Sequence, residues 1–139
     1  MQKVLLPLAL AILLCFKPAW SAGEEEAEET TAKTSSYVSL GGPMVLNLSN
    51  DNNRLTFLQV KADILIEDSN SEDLIKTHVP AIRHELIVLL SEQKVHDMKS
   101  STKREEIRKI ATTQVQALIA DLTGSNDVGD VLFSSFLVQ

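Results

Sequence analysis

Apolar and polar residues alternate along one stretch of the chain, and this is its clearest periodicity. The apolar positions are Leu58, Val60, Ala62, Ile64 and Ile66, and the polar residues between them are Gln59, Lys61 and Asp63. A period of two with one polar face predicts a long, half-buried antiparallel strand. A shorter β-prone run at Pro43–Leu48 comes before it, and the turn-forming residues Ser49–Asn53 separate the two.

A helical pattern follows these strands. Ser69 and Glu72 have the spacing of a capping box, which predicts a helix start there. Apolar residues three or four positions apart then form one broad stripe, at Leu74, Ile75, Val79, Ile82, Leu86, Leu89 and Leu90. Pro80 lies inside this stripe, where proline removes a backbone donor and crowds the preceding turn. We therefore expect a kink or a new helix start near Val79.

A second helix is predicted after a short connection around Val95–Met98. Ser101 or Thr102 can cap its first turn, and Gly124 is placed to end it. The apolar stripe of this helix consists of Ile107, Ile110, Ala111, Val115, Leu118, Ile119 and Leu122.

The last segment, Val128–Val138, returns to β character. Its alternation assigns Val131, Phe133 and Leu137 to one face and Leu132, Phe136 and Val138 to the other. Because both faces are apolar, we expect a helix or a neighbouring subunit to cover the second face at least partly. The order strand, strand, helix, helix, strand indicates an α+β fold, a small antiparallel sheet with two main helices.

The N-terminus has the layout of an export signal. Lys3 precedes the apolar block Val4–Phe16, and small residues follow within Ala19–Gly23. Residues 1–22 are interpreted as a signal peptide, with a short membrane anchor as the alternative; a lipoprotein at Cys15 is disfavoured because bulky Leu14 precedes it. Residues 23–36, rich in Glu and Thr, are predicted to be an acidic flexible linker, and residues 37–139 the folded domain.

Composition and charge exclude several classes of function. The 139-residue chain carries 19 acidic against 13 basic residues, a net charge of −6, which disfavours nucleic-acid binding. Cys15 is the only cysteine, so no disulfide framework is possible.

The three histidines lack the spacing of metal ligands, and no nucleophile elbow or phosphate-binding glycine loop is present. We predict no catalytic residue, cofactor, metal or small-molecule substrate. The basic residues of the second helix, Lys103, Arg104, Arg108 and Lys109, are interpreted as a solvated face.

Several segments, taken in order, resemble the periplasmic domain of the FliL family of flagellar basal body-associated proteins. They are Tyr37–Leu40, Val45–Leu48, Leu58–Glu67, His78–Glu92 and Val131–Gln139. The positions that match the family pattern, and that the resemblance marks as structural or interface residues, are Tyr37, Asn47, Leu48, Pro80, Arg83, Val131, Phe133, Phe136 and Gln139.

The resemblance implies a fold like that of the stomatin/prohibitin (SPFH) domains and a non-enzymatic role. It places the domain on the periplasmic side of the inner membrane at the flagellar basal body. The expected partners are stator subunits and further copies of the chain in a ring, which together support flagellar rotation and motility. Typical members begin with a full transmembrane helix, so the export signal leaves open whether this chain is anchored or released, and whether it is a secondary paralogue. The alternative is a soluble periplasmic binding or envelope module that shares only the fold.

Overall fold

The fold is organised around one long central strand. A computed structural model describes residues 33–50 and 54–139 of the chain. Within these residues the sheet is antiparallel, and every other strand pairs with the central one. The strands are β1 (Ser36–Ser39), β2 (Met44–Leu48), the central β3 (Thr56–Ile66) and β4 (Val128–Val138).

The two short strands share one edge of β3, and β4 occupies the other. Along the first edge, Tyr37 of β1 lies opposite Leu65 and Leu46 of β2 lies opposite Leu58. The predicted return of the last strand to the sheet is confirmed, because β4 pairs with β3 along its whole length. β4 is therefore an edge strand within the described part of the chain.

The alternation of β3 divides the sheet into a buried face and an outer face. Its five alternate apolar residues are at most 2% exposed, which confirms the prediction of a half-buried strand. The helices cover this face, and the hydrophobic core lies between the two layers. The structure is thus α+β, as predicted, with its helices on one side of the sheet.

The helical part contains the predicted break. The helices are α1 (Glu72–Thr77), α2 (Val79–Ser91), α3 (Val95–Lys99) and α4 (Ser101–Thr123). His78 separates α1 from α2, so the prediction of a new helix start near Val79 is confirmed. Pro80 lies in the first turn of α2, where its missing N–H has no intrahelical partner to lose. Gly124 ends α4 with a φ of 74°, a left-handed conformation that favours glycine.

Both predicted N-caps are wrong: the N-cap of α1 is Ser71, which makes no side-chain cap bond, and the capping bond predicted for Ser69 is made by the residue before it. The carboxylate of Asp68, not the hydroxyl of Ser69, accepts from the backbone N–H of Asn70, and a short 3₁₀ turn forms before α1. At α4 the cap is Ser100, whose Oγ accepts from the N–H of Lys103. In each case the residue that precedes the predicted cap has the extended backbone a cap requires and an oxygen that can accept.

The connection predicted around Val95–Met98 is also wrong, because these residues form the one-turn helix α3. Met98 is completely buried, and this tertiary contact stabilises a helix too short to form alone. The apolar stripes are narrower than predicted, since Leu74, Ile110 and Leu122 at their margins are exposed.

A bulge corrects the predicted faces of β4. Ser135 lies opposite Lys61 and Phe133 lies opposite Ala62, which leaves Ser134 as an extra residue. The extra residue reverses the alternation beyond it. Phe136 and Val138 therefore pack against the core on the same side as Val131 and Phe133, whereas Leu137 is on the outer face.

The outer face of the sheet carries no helix from the described part of the chain, so the expected cover by a helix is not found there. Tyr37 and Val45 are more than 60% exposed on this face, and Phe57 and Leu137 more than 40%. None of the described helices has the length and apolar character needed to span a membrane. The interpretation of residues 1–22, most of the predicted linker and part of the turn at Ser49–Asn53 lie outside the described residues.

Candidate functional site

The nine residues marked by the resemblance occupy three places in the fold. Tyr37 and Asn47 are exposed on the outer face of the sheet, and their neighbour Leu48 is buried in the core. Pro80 and Arg83 lie in the first turns of α2. The remaining four, Val131, Phe133, Phe136 and Gln139, are in β4 or directly follow it.

The side chain of Arg83 hydrogen-bonds to the backbone of the connection between β1 and β2. Its Nη1 donates to the carbonyl oxygens of Leu40 at 2.8 Å and of Gly42 at 2.7 Å. Between them, Gly41 has a φ of 86°, a backbone conformation that residues other than glycine rarely adopt. Pro80 lies in the first turn of α2 and Arg83 follows about one turn later on the same helix. The Pro-x-x-Arg pattern thus aligns a helix with the joint between two strands, which is a structural role.

The outer edge of β4 is bonded by a row of side chains from α4. Gln116 Nε2 donates to the carbonyl of Val128 at 2.9 Å, and Arg108 Nη1 donates to the carbonyl of Val131 at 3.2 Å. Thr112 Oγ1 accepts from the N–H of Val131 at 3.1 Å. The three side chains are four residues apart, so they lie in line along the helix surface. They satisfy backbone groups that an edge strand leaves unpaired.

A network of charges accompanies this row. Arg108 donates to both oxygens of Glu105 at 2.8 Å and also binds Asp130, and these bonds raise the pKa of its guanidinium. Burial disfavours the charged form of Asp130, but hydrogen bonds from Thr112 and Arg108 outweigh it and hold the pKa of this carboxyl below its usual value. The network connects α4 to the start of β4.

A cavity of about 290 Å³ lies at the Arg108 end of this row of side chains. The rings of Phe133 and Phe136 form its apolar wall, with their centroids 5.7 Å apart. The guanidinium of Arg104 lies 5.5 Å from the centre of the Phe136 ring and also donates to the carbonyl of Met98 at 3.2 Å. The complete lining consists of Ser101, Arg104, Glu105, Arg108, Leu132, Phe133 and Phe136.

A second polar cluster lies at the other end of β4. Ser71 and Ser125 donate to the carboxylate of Asp127, and Lys33 approaches it at 3.7 Å. The two hydroxyl bonds and the nearby ammonium lower the pKa of this carboxyl. The cluster connects the residues before β1 to the turn before β4, so we interpret it as a structural contact. The described residues contain no group of side chains suited to hold a metal ion.

The sequence placed Phe133 and Phe136 among the marked residues but missed the α4 side chains beside them. The interpretation of a solvated basic face is right for Lys103 and Lys109, which are exposed, and wrong for Arg104 and Arg108. Both arginines are half-buried and hydrogen-bonded to other elements. Positions 104, 108, 112 and 116 are polar at a spacing of four, a pattern that could have indicated a shared contact.

Comparison with known proteins gives one informative result. The family described as "Flagellar basal body-associated protein FliL" matches residues 37–139. A search of curated proteins finds no match. The family match extends from β1 to the residue after β4, so it includes the Arg83 contact, the α4 row and the cavity.

Proposed function

The chain belongs to the FliL family of flagellar basal body-associated proteins, and from this premise we propose that it is a non-enzymatic protein that associates with the flagellar stator and supports flagellar rotation. The observation that carries the proposal is the extent of the family match, which covers almost the whole described domain. The family is described as flagellar basal body-associated, and this description supports the proposed role.

Self-association is the second part of the proposal. We propose that the domain has an SPFH-like fold and assembles with further copies into a ring around a stator unit. The outer face of the sheet supports this idea, because Tyr37, Val45, Phe57 and Leu137 expose apolar surface there. Exposed apolar residues gathered on one face often mark an interaction surface. The polar residues between them, such as Gln59 and Lys61, suit an interface that also meets water.

We propose that the domain acts on the periplasmic side of the inner membrane. The export signal predicted in residues 1–22 and the acidic segment 23–36 support this location. A retained N-terminus would hold the domain at the membrane, whereas a cleaved one would release it and leave stator contacts to position it. The mass of the mature protein distinguishes these cases, since only the anchored form keeps Met1.

Deletion of the gene and measurement of swimming speed in viscous medium test the proposed function. We expect slower swimming in the deletion strain, recovery on expression of the wild-type chain, and co-purification of the chain with stator subunits after crosslinking. Unchanged swimming together with no stator co-purification would contradict the proposal. That result, with recovery of the chain only in the soluble periplasm, would favour the alternative of a binding or envelope module.

A further inference from the structure

The outer edge of β4 differs between its two halves. In the first half, Gln116, Thr112 and Arg108 bond the backbone groups of the strand. The next position in the row is Arg104, but its guanidinium turns to the carbonyls of Met98 and Lys99 instead. No side chain of the described residues bonds the outer edge of β4 beyond Val131.

The backbone beyond the bulge presents hydrogen-bonding groups outward. The residue after β4, Gln139, exchanges both of its backbone bonds with Phe57 of the β3 edge, at 2.7 and 2.9 Å. Backbone groups alternate in direction along an antiparallel strand. The N–H and C=O groups of Val138 and Phe136 therefore point away from β3, toward the uncovered side. We call the segment Phe136–Val138 the open edge.

The cavity adjoins the open edge and combines an apolar wall with a positive charge. Phe136 belongs to both features, and Leu132 and Phe133 extend the wall. Of the two arginines in the lining, Arg108 is bonded to the carboxylates of Glu105 and Asp130. Arg104 has no carboxylate within ion-pair distance among the described residues, and its bonds go to carbonyls and to an aromatic ring.

We propose that the open edge binds an extended segment of a partner protein as an added β-strand, with an apolar side chain in the cavity and a carboxylate two residues away, on the same face, bound to Arg104. Added strands gain affinity from main-chain bonds and specificity from pockets beside the edge. Charge complementarity defines the partner, because a carboxylate would give Arg104 the acidic partner that this domain does not provide. This inference rests on the proposed function in one respect, because the proposed function identifies the partner as a protein of the flagellar motor.

The acidic segment of this chain does not fit the same site. Residues 23–36 supply carboxylates, but they contain no large apolar residue to fill a cavity lined by Leu132, Phe133 and Phe136. The large apolar residues that precede this segment lie in residues 1–22, which are interpreted as a signal peptide or a membrane anchor, so we assign the site to a segment of another protein that combines both kinds of side chain.

A binding measurement with the full chain tests this inference. The probe is a capped seven-residue peptide of alternating Val and Thr in which one inner Val is replaced by Asp, because side chains two positions apart lie on the same face of a strand. A second peptide carries Lys in place of Asp, and a third carries Asp and N-methylated central amides. Titrations followed by NMR report affinity and hydrogen-exchange protection of the Phe136 and Val138 amides. We expect the Asp peptide to bind and to protect both amides, and the Lys and N-methylated peptides to bind about tenfold more weakly.

Two pairs of matched variants identify the site. Arg104→Gln should weaken the Asp peptide about tenfold, whereas Lys103→Gln, at the exposed neighbouring position, should not change its affinity. Ser101→Trp, in the cavity lining, should fill the cavity and weaken binding, whereas Thr102→Trp, at the exposed neighbouring position outside the lining, should leave binding intact.

Equal affinity in both members of a pair, or no binding by the Asp peptide, would overturn the inference. Protection of Phe136 and Val138 without any peptide, in a chain that sediments as a dimer, would also overturn it and identify a second copy as the occupant. These results do not depend on motility. A chain that supports swimming but binds no peptide would refute this inference alone.

Discussion

Arg83, the last residue of the Pro-x-x-Arg pattern, makes hydrogen bonds that hold two strands in place. One nitrogen of its guanidinium bonds two carbonyls in the joint between β1 and β2, at 2.7 and 2.8 Å. These bonds hold the two short strands in line against the same edge of β3. The sequence indicated that position 83 matters, through its spacing from Pro80. It could not indicate the partners, because they are backbone carbonyls about 40 residues earlier in the chain.

Replacement of Arg83 should destabilise the fold without removing any core residue. In Arg83→Met, the aliphatic part of the side chain is kept and both bonds are lost. We expect the free energy of unfolding to fall by about 1–3 kcal/mol, because the carbonyls of Leu40 and Gly42 lose a charged donor. Urea denaturation measures the change. Arg54→Met, at an exposed position, is the matched control, and an equal loss in both variants would show that the two bonds contribute nothing.

Asp130 should make stability depend on pH. Its pKa is lowered in the folded protein from an ordinary value of 3.8, so the unfolded chain binds the proton more readily. The stabilisation by Asp130 is therefore present above about pH 4 and is lost as the pH falls below it. In Asp130→Asn we expect an unfolding free energy lower by about 1–2 kcal/mol at pH 7, and a smaller decrease between pH 7 and pH 3 than in wild type.

Paired urea titrations at the two pH values measure this difference. Asp121→Asn is the control, because Asp121 is an exposed carboxylate of α4, the helix that supplies Arg108 and Thr112. If Asp130→Asn keeps the full wild-type pH dependence, the bonds from Arg108 and Thr112 do not stabilise the ionised carboxylate.

At the scale of elements, the bulge in β4 decides which apolar residues are buried. The alternation of β3 was readable from sequence because its polar face is regular. β4 carries apolar residues on both faces, so its sequence could not reveal that Ser134 is an extra residue. Similarly, α3 is helical because Met98 is buried against the rest of the domain, a tertiary cause that local pattern does not contain. Local periodicity thus predicted the elements, and tertiary contacts determined the bulge and the short helix.

Two single-residue deletions test the bulge. Deletion of Ser134 makes the strand regular from Asp130 to Val138, and Phe133, Phe136 and Val138 still face the core. Deletion of Leu132 instead turns Phe133 to the outer face and Ser134 to the core, unless the strand shifts. We expect the free energy of unfolding of the first variant to lie within about 1 kcal/mol of the wild-type value. That of the second variant should be lower by about 3–5 kcal/mol. Equal loss of stability in both deletions would contradict the assigned register.

At the scale of the whole molecule, the domain presents three surfaces of different character. The helical layer closes the core, the outer sheet face exposes apolar residues, and the edge of β4 combines unpaired backbone with a charged cavity. The core supports a stable fold, and the other two surfaces suit contacts with other proteins. The sequence alone predicted the fold class and the family. It could not predict the edge site, because Arg104 and Phe136 are joined only when α4 packs beside β4.

We propose that this chain supports torque generation by the flagellar motor. The most direct measurement is the rotation speed of a bead attached to a single flagellar stub, compared at high and low load in wild-type, deletion and complemented cells. We expect a lower speed at high load in the deletion strain and recovery when the wild-type chain is expressed. Identical speeds in the three strains at both loads would contradict it.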